Sequence, residues 1–253
     1  MTLKELDRWF SDFLDLASVA AIDRSRNGLQ VARRGAEVRR VAFAVDASLE
    51  TFRRAADGGA EALFVHHGLF WDQPVCLTGS AFERIRFLVE RDLALFAAHF
   101  PLDIHPEVGN NAGIARHLGL LDVEPFGLHR GVKIGCKGRL PVPLALAKLA
   151  DLLGEGQPDP VHTLPFGPDP VRTVGIVSGG APLDVEQAAA EGLDAFVTGE
   201  SAHQVYHFCL EERISALFAG HYRTESYGPK ALAARLAADT GLETTWLDIP
   251  TGM

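Results

Sequence analysis

The chain has 253 residues, of which 47% are hydrophobic and 23% charged, with a formal net charge of −9. That length permits one large core or two smaller ones. The acidity argues against broad contact with nucleic-acid phosphates or anionic membranes, and no apolar run approaches the roughly 20 residues a spanning helix needs.

In chain order, Thr2 and Glu5 predict a capping box, and Leu3, Leu6, Phe10, Phe13 and Leu14 one apolar helical face. The start reads as an amphipathic helix and not a signal peptide, so a cytoplasmic location is expected. Residues 18–30 read as a loop that runs into Asn27-Gly28-Leu29-Gln30-Val31. Residues 38–45 form a strand by their β-branched and apolar content. Residues 48–56 form a helix stopped at Gly58-Gly59. A short strand over 62–65 places His66-His67 at its C-terminal end. Residues 80–91 form a helix with Ser80 and Glu83 as a second capping box, and a strand over 93–98 is followed at once by His99.

The second half repeats the order: strand 171–177, helix 183–191, strand 195–197 ending in Thr198-Gly199-Glu200, helix 202–213, strand 215–219 followed by His221, helix 230–240, and a last strand 243–247. Residues 38–68 align on 171–201 without a gap at an offset of 133, with seven of 31 positions identical. The identities are Val38/Val171, Arg39/Arg172, Val41/Val174, Ala55/Ala188, Ala56/Ala189, Gly59/Gly192 and Ala62/Ala195, and His67 falls on Glu200. At an offset of 122, His99 falls on His221 and Asp103 on Glu225. An internal duplication follows: α/β units over 1–124 and 171–253. The segment 125–170 reads as an inserted strand-helix-strand unit, strand 131–140 and helix 143–153, bordered by Pro/Gly-rich loops.

Alternating strands and helices imply largely parallel sheets covered by helices, in which ligands collect beyond the carboxyl ends of the strands. His66, His67, His99, Glu200 and His221 all end or follow strands, and Asp103 and Glu225 lie four residues beyond a histidine. Adjacent strand residues point to opposite faces, so His66 and His67 are expected to share a site only where the strand has stopped and Gly68 lets the chain turn. Imidazoles mixed with carboxylates suit transition-type divalent ions. The four histidines and three carboxylates suffice for two ions with positions open to water or substrate. Each piece also has a plainer reading: a core or surface His-His pair, an Asp103 that serves backbone N–H groups, a Glu200 at a helix N-terminus. His105, His117, His129, His203 and His207 lack the matched placement and read as structural or surface groups. Ser178-Gly179-Gly180 reads as a tight turn in preference to a phosphate cradle. Arg33, Arg34, Arg39 and Arg40 read as a solvated edge in preference to a nucleic-acid lining. Cys76, Cys136 and Cys209 form no CxxC pair and are expected to be buried free thiols in a reducing compartment.

At these residues the chain resembles the GTP cyclohydrolase 1 type 2 homologue family, also described as Nif-three-like dinuclear-metal hexameric proteins. The matching text is Asn27-Gly-Leu-Gln-Val, His66-His67-Gly, Ala98-His99-x-Pro-Leu-Asp103, Asp194-Ala-Phe-Val-Thr-Gly-Glu200 and Gly220-His221-x-x-x-Glu225. The resemblance implies two similar α/β units with mixed sheets and a homohexamer built as a trimer of dimers, with two divalent ions inside the ring. It implies that His67 and Asp103 bind one ion, His66 and His221 the other, with Glu225 bridging. His99 lies beside the pair as a further ligand or a proton-transfer group. After the Thr-Gly-Glu segment the family often carries His-His, where this chain has Ser201-Ala202-His203-Gln204. His105-Pro106 also replaces small residues at the rim. Iron, zinc, manganese and nickel all suit the ligand types. The family name implies hydrolysis of a small nucleotide-like substrate, with GTP ring opening as the reaction. The alternative is a non-catalytic metal-binding ring acting as a scaffold or regulator.

Overall fold

Capped apolar stripes and β-rich runs alternate along this chain, and the folded molecule follows them. The computed structural model describes residues 1–155 and 160–253; the loop expected over 156–159 lies outside the described residues. The first elements are α1 (Leu3–Phe13), β1 (Gly28–Val31), β2 (Arg40–Asp46), α2 (Leu49–Asp57), β3 (Ala62–His67), α3 (Gly79–Glu90), β4 (Ala94–Ala97) and α4 (Phe100–Ile104). Then come α5 (Asn110–His117), β5 (Leu121–His129), β6 (Val132–Leu144), α6 (Leu146–Gly154), β7 (His162–Leu164), β8 (Val171–Ile176), α7 (Val185–Ala190), β9 (Ala195–Thr198), α8 (Val205–Glu212), β10 (Ser215–Phe218), α9 (His221–Thr224), α10 (Tyr227–Thr240) and β11 (Glu243–Trp246). No helix among the described residues is long and apolar enough to cross a membrane.

The chain divides into two compact units. One is Met1–Val108 with Gly228–Ile249, the other Gly109–Tyr227 with Pro250–Met253. The first contains a mixed sheet in the order β1-β4-β3-β2-β11, parallel throughout except that β1 runs antiparallel to β4. Side-chain alternation splits its core between two faces. Phe43, Phe64 and Phe96 meet Phe10 of α1 and Leu232 and Leu236 of α10, with Phe10 4.8 Å from Phe64 and 5.1 Å from Phe96, ring centre to ring centre. Leu63, Val65 and Leu95 meet Phe52 of α2 and Leu88 of α3 on the opposite face.

The second unit contains a mixed sheet in the order β5-β6-β8-β9-β10-β7. Here β8, β9 and β10 are parallel, and β6 and β7 are antiparallel to their neighbours. Its core gathers Val174, Ile176, Val197 and Leu217 with Leu149 and Leu153 of α6 and Ile114 of α5. In both sheets four strands pair in the same order relative to the chain, β1-β4-β3-β2 and β7-β10-β9-β8. The aligned loops repeat as well. Glu61 accepts the backbone N–H groups of Arg39 and Arg40, and Asp194, 133 positions later, accepts those of Arg172 and Thr173.

Several expectations need correction. Gly28–Val31 is a strand, not the end of a loop. The α3 N-cap is Thr78, with no side-chain cap, and Glu83 pairs with Arg86 instead of closing a box with Ser80. The long β5 was not foreseen. It contains Pro125, which a strand tolerates at a sheet edge, and it turns into β6 through Arg130 and Gly131, both at positive φ (48° and 89°), the two-residue primed turn that suits hairpins. The segment 125–170 does hold a strand-helix-strand run, β6-α6-β7, and its strands, with the second half of β5, are part of the second sheet. The boundary of 171–253 also fails: β11 pairs in parallel register with β2 (Glu243↔Arg40 to Trp246↔Phe43), and α10 fills the first core, so Gly228–Ile249 belongs to the first unit. Cys136 and Cys209 are buried free thiols, but Cys76 is exposed.

Candidate metal centre

In the first unit the chemistry gathers at the carboxyl ends of β2, β3 and β4. His66 and His67 are not past the strand, as expected, but are its last two residues: the ladder runs through Asp46↔His67. Their rings nevertheless lie 4.7 Å apart, centre to centre, because each reaches toward a different neighbouring strand. His66 Nδ1 lies 2.9 Å from the carbonyl oxygen of Ala98, just past β4. His67 Nδ1 lies 2.8 Å from Asp46 Oδ1 at the end of β2. Gly68 must be glycine for packing reasons, since a Cβ there would come within 2.6 Å of Ala97 Cβ and closer still to Gln30. Gln30 holds the chain after the pair by accepting the N–H of Leu69.

His99 stands at the N-terminal boundary of α4, without capping it through its side chain, and completes a group with His66 and His67 whose ligand atoms lie within 4.8 Å of one another. Its Nδ1 is 2.9 Å from Asp23 Oδ1, and its ring stacks on Phe100 and meets Trp71 edge-on. The Asp23 side chain is fully buried and also accepts the N–H groups of Ser25 and Phe100 and the Asn27 amide. Burial, the largest single influence, pushes its carboxyl up. The bonds from His99, Asn27 and Ser25 together outweigh it and hold the group below the usual carboxylate range. Asn27 Oδ1 in turn accepts the His99 N–H, which gives the Asn27-Gly-Leu-Gln segment its role: it braces both histidine loops. Asp103, four residues on in α4, is buried, with Oδ1 3.5 Å from His66 Nε2.

The second unit repeats the device at β9 and β10. His221 opens the one-turn α9, and the i, i+4 spacing puts Glu225 on the same face, with Oε2 2.9 Å from His221 Nε2. The backbone bond from Glu225 N–H to the His221 carbonyl matches that from Asp103 N–H to the His99 carbonyl, both 3.2 Å. Glu200, after β9, lies 2.6 Å from His221 Nδ1. The turn after β8 makes room for the acid: Gly179 has φ +68°, and a Cβ there would stand 2.1 Å from Glu225 Oε1. The N–H groups of Ser178 and Gly179 are taken by Asn111 Oδ1 and Thr224 Oγ1, so this loop is a turn and no phosphate cradle.

The donors fit a divalent ion. Ligand atoms about 2.1 Å from one ion, at right to tetrahedral angles, stand about 3.0–3.4 Å apart. The pairs His221–Glu225 at 2.9 Å and His66–Asp103 at 3.5 Å fall close to that range. The first unit thus has a group, His66, His67 and His99, that could hold a metal, and the second carries a histidine-carboxylate pair, His221 and Glu225, of the same donor types. Sequence reasoning missed Asp23 and Asp46. The signal for Asp46 was its place at the end of a strand parallel to the one carrying His67. His203 is exposed. His105 caps the N–H groups of Glu107 and Val108, and His117 bonds to the Leu152 carbonyl; neither belongs to the clusters. Arg33 and Arg34 pair with Asp92 and Arg40 with Glu243, so these arginines are ion-paired where a solvated edge was expected, and the Arg33 side chain is only 13% exposed.

Comparison with known proteins places these clusters in a family context. The model of the Duf34/NIF3 (NGG1p interacting factor 3) family matches residues 1–251. A Deinococcus radiodurans protein named GTP cyclohydrolase 1 type 2 homolog is 45% identical, over 98% of this chain and 94% of its own. A protein of the same name from Archaeoglobus fulgidus is 43% identical over the whole of both chains. The crystal structure of TTHA1606 from Thermus thermophilus superposes over the whole of both chains with a TM-score of 0.89 and 42% identity.

Proposed function

The chain belongs to the Duf34/NIF3 family, and from that premise we propose that it is a dinuclear divalent-metal protein that hydrolyses a small nucleotide-like substrate. His66, His67, Asp103, His221 and Glu225 hold the ions in this reading, with Glu225 as the shared carboxylate. The observation that carries it is the recurrence, in each unit, of a histidine at a strand end, its Nδ1 already engaged and a buried carboxylate beside its Nε2: Asp103 for His66, Glu225 for His221. An imidazole fixed in that way is prepared as a metal ligand. The name of the curated relatives, GTP cyclohydrolase 1 type 2 homolog, favours the hydrolytic branch over a scaffold.

When bound, a divalent pair supplies Lewis acidity toward water and substrate oxygen. The chain's own part is positional and protonic. His99, held by Asp23, donates and accepts a proton at Nε2, and Phe100 and Trp71 shield its ring. Iron, zinc, manganese and nickel all fit the ligand types. The reading extends to a cytoplasmic homohexamer, as the family resemblance implies, and to descent of both units from one duplicated ancestor, which the repeated strand order and the matched Glu61 and Asp194 bonds support. Elemental analysis of purified wild-type protein and Glu225→Gln, each then screened against nucleotides, tests it. Two ions per chain and turnover in the wild type, with both reduced in the variant, are expected. Full metal content in Glu225→Gln contradicts the bridging role, and a loaded wild type inert to the whole screen favours the scaffold.

A further inference from the structure

Resting on that metal reading, a second layer of residues stands out. Every clustered histidine has its Nδ1 atom occupied: His66 by the Ala98 carbonyl, His67 by Asp46, His99 by Asp23, His221 by Glu200. Carbonyl and carboxylate oxygens only accept, so each Nδ1 carries the proton and the ring lone pair is confined to Nε2. Three of the four acceptors are carboxylates, and they come from three separate segments. No sequence motif demanded them, and only Glu200 lies in a stretch that drew attention.

We infer that Asp46 and Glu200, one in each unit, are positioning residues that fix the tautomer and ring direction of His67 and His221 and so set the strength of metal binding. Their chemistry suits that task and not ligation. Asp46 Oδ1 and Glu200 Oε1 sit 2.8 and 2.6 Å from Nδ1, across the ring from Nε2, the nitrogen left to take a metal. Both side chains are partly open to solvent, so neither is needed to fill a core. Gly180 gives Glu200 its space: a Cβ there would stand 3.2 Å from Glu200 Oε2.

The test uses full-length protein stripped with a chelator, then titrated with cobalt(II) against a chromophoric competitor. Asp46→Ala and Glu200→Ala are each expected to weaken binding about 10- to 100-fold. Asp46→Asn and Glu200→Gln, whose amide oxygen still accepts the Nδ1 proton, should recover part of that loss. The visible cobalt bands at saturation should keep the wild-type shape in all four variants, because the metal-bound atoms are unchanged. Wild-type affinity in both alanine variants overturns the inference while leaving the metal reading intact. A changed band shape also overturns it, by making the carboxylates ligands. Failure of the wild-type protein to bind cobalt removes the metal reading and this inference with it.

Discussion

Gly179→Ala and Gly192→Ala separate backbone strain from steric intrusion at the candidate site. Both glycines lie in the left-handed region, at φ +68° and +69°. An alanine pays about 1–2 kcal/mol there whatever its surroundings. At Gly192 the new Cβ meets nothing within 4 Å, so that strain is the whole cost. For a chain of this size it lowers Tm by roughly 2–8 °C, at about 2–4 °C per kcal/mol. At Gly179 the Cβ would arrive 2.1 Å from Glu225 Oε1, where ordinary contact begins at 3.4 Å. The carboxylate must retreat by more than 1 Å, and its 2.9 Å contact with His221 goes with it. Displacing a buried charged partner adds about 1–3 kcal/mol. Gly179→Ala should therefore melt at least several degrees below Gly192→Ala and, unlike it, lose metal binding. Differential scanning calorimetry with and without added zinc, plus zinc titration of each stripped variant, reads both effects. Equal melting temperatures and equal zinc affinity in the two variants would refute the claim that Gly179 is glycine in order to admit Glu225.

Two further expectations follow from the surroundings of single groups. The Arg34 N–H above all, joined by the Gly35 N–H and the Arg33 guanidinium, holds the Asp92 carboxyl below its usual value of 3.8; a depressed folded-state pKa means the stabilisation is present above pH 4 and vanishes as pH falls through the folded value. Asp92→Asn, which keeps a residue tolerant of the φ of 52° there, should cost about 1 kcal/mol at pH 7, with little from the screened charge pair, and the gap between urea melts of the two proteins should close progressively as pH is lowered below the usual carboxyl value of 3.8; a constant gap would sink the assignment. Burial pushes the Cys136 thiol up to about 12 and that of Cys209 up to about 11, whereas Cys76 is exposed. At pH 8 Ellman's reagent should therefore find one prompt thiol in the native protein and the other two only after guanidinium, and prompt reaction of all three would contradict the burial.

The sequence alone carried the alternation of strands and helices, the Thr2–Glu5 cap, and the placing of histidines at strand ends, because each depends on neighbours within a few residues. The offset of 133 between halves also coincides with one repeated contact: Glu61 accepts the N–H groups of Arg39 and Arg40, and Asp194 those of Arg172 and Thr173. Membership of β11 in the first sheet was not legible: its pairing with β2 spans about 200 residues, and nothing local in Glu-Thr-Thr-Trp names a partner. Nor was β5, whose proline and acidic residues hide a strand that only its edge position allows. Asp23 and Asp46 show the same limit at the site. In the chain they are ordinary loop and strand-end acids. Only the sheet order, which sets β2 against β3 and lays the loop before β1 across the end of β4, brings them against His99 and His67, because side chains distant in sequence meet through hydrogen-bonded strand pairing and not through any local pattern.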